Sequence, residues 1–153
     1  MRHEIRDHIQ ENPGIHLREL KRNLDCTSTT LNYHIDRLEV KDRKIRGYRR
    51  LYPREIPEEM ERPLAALNHD VRGPMLYYIN NGTPHSELSG KLDLSKSTVS
   101  SHLSVLSEDG LVKERKKGRR KKLSVSENSI EALNHYAARI LDDASEGFIE
   151  MWK

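Results

Sequence analysis

The sequence predicts a mainly helical chain built from two tandem copies of one small domain, each closed by a small β-ribbon, with a long helix at its C-terminal end. Three observations carry that expectation. The stretch Leu24-Asp-Cys-Thr-Ser-Thr-Thr-Leu-Asn-Tyr-His-Ile-Asp-Arg-Leu38 lies without a gap over Leu92-Asp-Leu-Ser-Lys-Ser-Thr-Val-Ser-Ser-His-Leu-Ser-Val-Leu106, so Leu24, Asp25, Thr30, His34 and Leu38 meet Leu92, Asp93, Thr98, His102 and Leu106. Self-similarity of this kind means a repeated supersecondary unit. Each copy is followed by Lys and Arg clustered about a glycine, in Lys44-Ile-Arg-Gly-Tyr-Arg-Arg50 and Lys113-Glu-Arg-Lys-Lys-Gly-Arg-Arg-Lys-Lys122. Near the end, Ile130, Leu133, Ala137, Ile140, Ala144 and Phe148 recur at spacings of three and four, the stripe of an amphipathic helix.

In the first copy, Ile5 and Ile9 predict a helix over 2–11, stopped by Asn12-Pro13-Gly14. Ile15 makes a short extended contact, Leu17, Leu20 and Leu24 give a second helix, and Asp25-Cys26 turns the chain. Thr27 caps a third helix expected to run to about Lys41, with Leu31, Ile35 and Leu38 inward. A ribbon of Ile45-Arg46 and Arg49 to Tyr52 about Gly47-Tyr48 ends at Pro53. The first domain thus spans 1–54, and the acidic, proline-bounded segment 55–62 reads as a linker. The second domain, 63–126, opens on Leu64, Leu67, Val71, Met75, Tyr78 and Ile79, where Gly73-Pro74 predicts a kink or a division into two helices. Leu88 and Leu92 mark its next helix, Ser95 caps the one after, Val99, Leu103 and Leu106 face its core, and Gly110 stops it. Residues 111–116 and 121–125 form the second ribbon, and 127–153 the terminal helix.

The net charge of +3 conceals a strong separation. Residues 41–54 hold seven basic and one acidic side chain and 113–122 hold eight and one, so these segments carry +6 and +7 and the rest of the chain −10. Basic charge concentrated on an acidic body suits a polyanion held in one orientation, because counterions are released only where phosphates are neutralised. The apolar runs fall short of the ~20 residues of a spanning helix and the N-terminus lacks the apolar stretch of a signal peptide, which points to the cytoplasm. A lone Cys26 aligns with Leu94 and reads as a small core hydrophobe. No glycine-rich phosphate loop, ligand-spaced Cys/His set or nucleophile motif occurs, so neither catalysis nor a cofactor is expected.

A short helix, a turn, and a second helix capped by Ser or Thr with small polar residues outward is the helix-turn-helix arrangement, whose second helix fits a major groove about 12 Å wide. Ser28, Thr29, Asn32 and Tyr33 occupy the outward side in the first copy, with His34 and Arg37 beside them. Lys96, Ser97, Ser100 and Ser101, with His102, do so in the second. Asn32 has the amide that pairs with adenine. The ribbons bring Lys44, Arg46, Tyr48, Arg49 and Arg50, and Arg115, Lys116, Lys117, Arg119, Arg120 and Lys121, to the sugar-phosphate backbone or minor groove.

Both copies resemble winged helix-turn-helix domains of the ArsR/MarR-like type, and two in one short basic chain are similar to archaeal winged-helix transcription regulators. The string Leu94-Ser-Lys-Ser-Thr-Val-Ser-Ser-His-Leu-Ser-Val-Leu-Ser-Glu-Asp-Gly-Leu-Val112 carries the likeness best. The first copy lacks the glycine that ends this helix and has Asp42-Arg43 in that region. The paired cysteines of metal-sensing members are missing from the recognition helices, so no metal is expected; His34 and His102 read as a shared packing or phosphate-contacting position, and Glu131, His135 and Asp142 as a solvated face, the alternative being a site between subunits. The resemblance implies a sequence-specific regulator that binds double-stranded DNA and pairs as a homodimer through flanking helices. The alternatives are an architectural DNA binder with little sequence preference and a winged-helix adaptor that binds proteins of the transcription machinery.

Overall fold

The computed structural model describes residues 1–142 and divides the chain into two units between Ala65 and Ala66. In the first, α1 (Arg2–Glu11) buries Ile5 and Ile9 and is closed at Asn12, whose backbone N–H and side-chain amide both return to the His8 carbonyl. After Pro13-Gly14, strand β1 (Ile15–His16) leads into α2 (Leu17–Leu24). His16 caps that helix, its Nδ1 accepting from Arg18 N at 2.9 Å. Asp25 ends it in the left-handed region at φ 48°, and Thr27 Oγ1 accepts from Thr30 N to start α3 (Ser28–Ile35). Strands β2 (Val40–Ile45) and β3 (Tyr48–Pro53) form an antiparallel hairpin, and β1 pairs with the other edge of β3 through Ile15 and Leu51. Ile5, Ile9, Ile15, Leu20, Leu31, Ile35 and Leu51 make the core, with Leu17, Leu24, Cys26, Leu38 and Val40 packed at its margin. Each such large side chain contributes about 1.5–3 kcal/mol when fully buried.

Three expectations for this unit are corrected. The third helix stops at Ile35 instead of running to Lys41, because Arg37 N and Leu38 N close tight turns onto His34 O and Ile35 O and the chain is already extended at Val40, paired to Pro53. The ribbon is correspondingly longer than expected, and its turn is Arg46-Gly47, not Gly47-Tyr48. Both turn residues have positive φ, 52° and 85°, the two-residue turn whose twist matches a hairpin. The stretch 55–62, expected as a linker, packs on the first unit. Ile56, before a short 3-10 turn (Glu58–Met60), and Met60, at its end, are buried, and Glu61 opens α4 (Glu61–Leu67) while bound to Lys41 and Arg43.

The apolar stripe expected to kink at Gly73-Pro74 is indeed two helices, α4, which runs across the division between the units, and α5 (Arg72–Asn80) of the second unit, but the break falls at residues 68–71. Gly73 and Pro74 lie in the first turn of α5, where proline costs no hydrogen bond. A Cβ on Gly73 would sit 2.4 Å from the Leu67 carbonyl oxygen, so only glycine lets this turn come so near the end of α4. Helix α6 (His85–Leu92) ends at Asp93, φ 53°, repeating the left-handed Asp25. Ser95 caps α7 (Lys96–Glu108), which closes with Gly110 N on Ser107 O and Leu111 N on Leu106 O, the paired bonds of a glycine-terminated helix. Strands β4 (Val112–Lys117) and β5 (Arg120–Val125) then form the second hairpin about Gly118-Arg119. Helix α5 packs on α6, α7, β5 and α8 (Glu127–Asp142), whose Ala132 and Leu133 are buried. Ala144 and Phe148 of the expected terminal stripe lie outside the described residues, as do the side chains of Ala137, Ile140 and Asp142. No described helix is long and apolar enough to cross a membrane.

Candidate nucleic-acid interface

Helix α3 is amphipathic in the sense a groove-reading helix requires. Leu31 and Ile35 are buried, and Ser28, Thr29 and Tyr33 are exposed on the other side. Asn32 is half-buried, and its Oδ1 accepts from Arg49 Nη1 of β3 at 2.8 Å. The same guanidinium donates from Nε and Nη2 to the two carboxylate oxygens of Asp42, a pairing that holds Arg49 above its ordinary pKa. Arg37, expected on the recognition helix, lies in the turn beyond it, 3.5 Å over the Tyr33 ring and donating to the Tyr33 carbonyl. His34 is half-buried, edge-on to Tyr33 at 5.3 Å, with a buried Nδ1 that has no hydrogen-bond partner among the described residues.

The first ribbon is far less available than its charge suggests. Lys41 and Arg43 are ion-paired to the buried Glu61 at 2.9 and 3.2 Å, and Lys41 also donates to the Ile56 carbonyl. Arg54 pairs with Glu39 at 3.1 Å. Arg50, expected on the DNA-facing side of the ribbon, is 7% exposed and donates to the Gly14 carbonyl. With Arg49 on Asp42, at least five of the seven basic residues between 41 and 54 hold intramolecular partners. Lys44, Arg46 and Tyr48 sit at the exposed tip, where the Tyr48 ring rests 5.0 Å from that of His16. Burial and the neighbouring Arg50 and Arg18 keep His16 below its ordinary pKa.

The second unit reverses this pattern. Lys96, Ser97, Ser100 and Ser101 are exposed on the first two turns of α7, whose buried side carries Val99, Leu103 and Leu106. His102 is half-buried and turned to the start of α5, its Nδ1 3.3 Å from Arg72 Nη1 and its ring 5.4 Å from that of His69. Burial, aided by Arg72, lowers its pKa. In the ribbon's Cα register, Arg115 is paired with Lys122, Lys116 with Lys121, and Lys117 with Arg120, the side chains of this last pair lying outside the described residues. Lys113, Arg115, Lys116, Arg119, Lys121 and Lys122 are exposed, and among the described residues no ion pair involves them. Like charges set directly across a ladder destabilise it, so the hairpin stores repulsion that a polyanion relieves. No group of described residues could hold a metal ion.

One feature of the first ribbon was not legible in the sequence. Asp42 and Glu61 entered the charge count merely as acidic residues, yet they decide which cations of that ribbon are available. Lys113 and Lys122, at the two ends of the basic cluster already visible in the sequence, join the exposed cations of the second ribbon.

Comparison with known proteins agrees with this geometry. Residues 1–64 match a family described as an N-terminal HTH domain, and residues 83–114 match the family described as bacterial regulatory protein, arsR family. An uncharacterized HTH-type transcriptional regulator of Methanocaldococcus jannaschii is 32% identical over 124 residues, covering 78% of this chain. The chain spans about a third, 32%, of that relative's length. No solved structure matches the chain.

Proposed function

For a chain that carries two winged helix-turn-helix domains, the second of the ArsR type, we propose double-stranded DNA as the partner and regulation of transcription as the function. The observation that carries this reading is in the second domain. A helix with a short polar outer face stands in the same small unit as a hairpin bearing six exposed cations that have no ion pair among the described residues. The helix supplies the hydrogen-bonding groups that read base edges, Lys96 and Ser100 first among them, and the hairpin supplies phosphate contacts that set affinity and register. The first domain reads through Ser28, Thr29 and Asn32, and its ribbon contributes mainly the tip residues Lys44 and Arg46. His34 and His102 act as packing positions. The name of the archaeal relative supports the regulatory role.

Anisotropy of a labelled duplex across a salt series tests this. Binding whose log affinity falls linearly with log salt, by about 0.9 for each phosphate neutralised, is expected. No binding at low salt overturns it.

The same reading includes a homodimer formed through the C-terminal helix, supported by the apolar spacing of the sequence that continues at Ala137 and Ile140 beyond Leu133, which is itself buried within its own unit. Two chains would present paired readers about one helical turn of DNA apart. A light-scattering mass near 17.8 kDa at micromolar concentration would exclude the dimer.

A further inference from the structure

The first unit contains a groove of about 500 Å³ that the DNA-reading surface does not use. Three separate elements bring arginines to it: Arg2 and Arg6 from α1, Arg37 from the turn after α3, and Arg54 from the end of β3. Its apolar wall is Ile9, Leu38, Val40 and Pro53. All four arginines are exposed on the solvent side, so the groove joins a hydrophobic floor to a cationic rim.

The rim is poised rather than neutralised. Arg2 and Arg6 stand four residues apart on one face of α1, a like-charge pair that repels. Arg6 Nη2 lies 2.8 Å from His3 Nδ1, an imidazole and not a carboxylate. Arg54 has a carboxylate partner, Glu39, but both side chains are largely exposed, 73% and 83%, and such a pair contributes at most about 1 kcal/mol. A ligand anion can take its place. Glu55, the other acidic group of the lining, is held at 2.6 Å by Gln10, a hydrogen bond that keeps its carboxyl below the usual range. Guanidinium forks bind phosphate and carboxylate bidentately, and a volume within about 300–1,000 Å³ suits a small molecule with an apolar or ring body.

We propose that this groove binds a small organic anion, a phosphate or carboxylate group on the arginine rim with its body on Ile9, Leu38, Val40 and Pro53. The site stands on the same unit as the Asn32 helix, and Arg37 joins the two: it lines the groove, and its guanidinium covers Tyr33 on the outer face of α3. Occupancy that draws Arg37 to the anion uncovers that ring.

Calorimetric titration of the full chain with adenosine monophosphate, citrate and inorganic phosphate tests the proposal without reference to DNA. Saturable one-to-one binding of the nucleotide or of citrate is expected, tighter than that of inorganic phosphate because only an organic body uses the apolar wall. The nucleotide and citrate arms distinguish a phosphate from a carboxylate ligand. Arg6→Ala combined with Arg37→Ala should weaken that binding by about tenfold or more, and Lys116→Ala with Arg119→Ala should leave it unchanged. All these side chains are exposed, and circular dichroism melts confirm that the variants fold. The proposal is overturned if none of the three probes saturates, if inorganic phosphate binds as tightly as the organic anions, or if the second-ribbon variant loses binding as much as the groove variant.

Discussion

Arg49 of the first ribbon donates to Oδ1 of Asn32 on the recognition helix at 2.8 Å. This bond fixes which way the amide faces, since only the oxygen can accept from a guanidinium, and it leaves the Asn32 NH2 as the outward group. Pairing with adenine needs both ends of an amide, whereas guanine offers two acceptors, N7 and O6, to a donor. In the intact protein Asn32 should therefore favour an acceptor-rich base edge. Asn32→Ala should relax preference at one or two positions, each worth about 1–3 kcal/mol of discrimination. Arg49→Ala, which lets the amide turn, should move the preference there towards adenine. Selection of bound duplexes by the three proteins compares them, and identical motifs would show that Asn32 does not read a base.

The second ribbon should dominate the salt dependence. Replacing Lys116, Arg119 and Lys121 with Ala removes three exposed cations and should lower the slope of log affinity against log salt by about 0.9 for each phosphate left without its cation, across all sequences alike. The same change at Arg43, whose side chain is paired with Glu61, should move the slope little. Anisotropy in a salt series measures both, and equal effects would contradict the internal neutralisation of the first ribbon.

Glu61 should be worth more to the fold than to binding. Its carboxylate is buried and receives Lys41 and Arg43, and its carbonyl receives the Tyr52 hydroxyl, whose pKa burial pushes well above 10.0. Removing one partner of a buried pair leaves an uncompensated charge and costs about 3–5 kcal/mol. Because the charges left behind, Lys41 and the half-exposed Arg43, still reach solvent, Glu61→Gln should destabilise the first domain by roughly 1–3 kcal/mol in urea unfolding. A loss within experimental error would place this pair in effectively aqueous surroundings.

Much of this architecture is visible in the sequence, and the reason is periodicity. Inward residues at helical spacing located α1, α2 and α7, and the side-chain caps Thr27 and Ser95 fixed where both recognition helices begin. What stayed hidden depends on partners distant along the chain. The early end of α3 follows from Val40 pairing with Pro53, and the withdrawal of Arg50 from the surface follows from its bond to Gly14, 36 positions away. A count of basic residues cannot tell Lys116, exposed opposite Lys121, from Lys41, held by Glu61.

The pH dependence of the second domain should carry the mark of His102. Its pKa is lowered in the folded state, by burial first and then by Arg72, so the unfolded chain binds the proton more readily. The stabilisation is complete above the ordinary value of 6.5 and is lost as pH falls through the lower folded value. Urea unfolding at about pH 7.5 and 5.5 should show a decline on acidification that His102→Gln reduces. An undiminished decline in the variant would assign it to other groups.

The claim on which the rest depends is that two recognition helices read sequence while the second ribbon holds the backbone. Selection from a random duplex pool at about 50 and 200 mM salt tests it most directly. A motif enriched at both concentrations, with total binding falling steeply between them, is the expected result. Strong, salt-sensitive retention of the pool without any motif would contradict sequence reading and leave an architectural binder, and no retention at either salt would remove DNA as the partner.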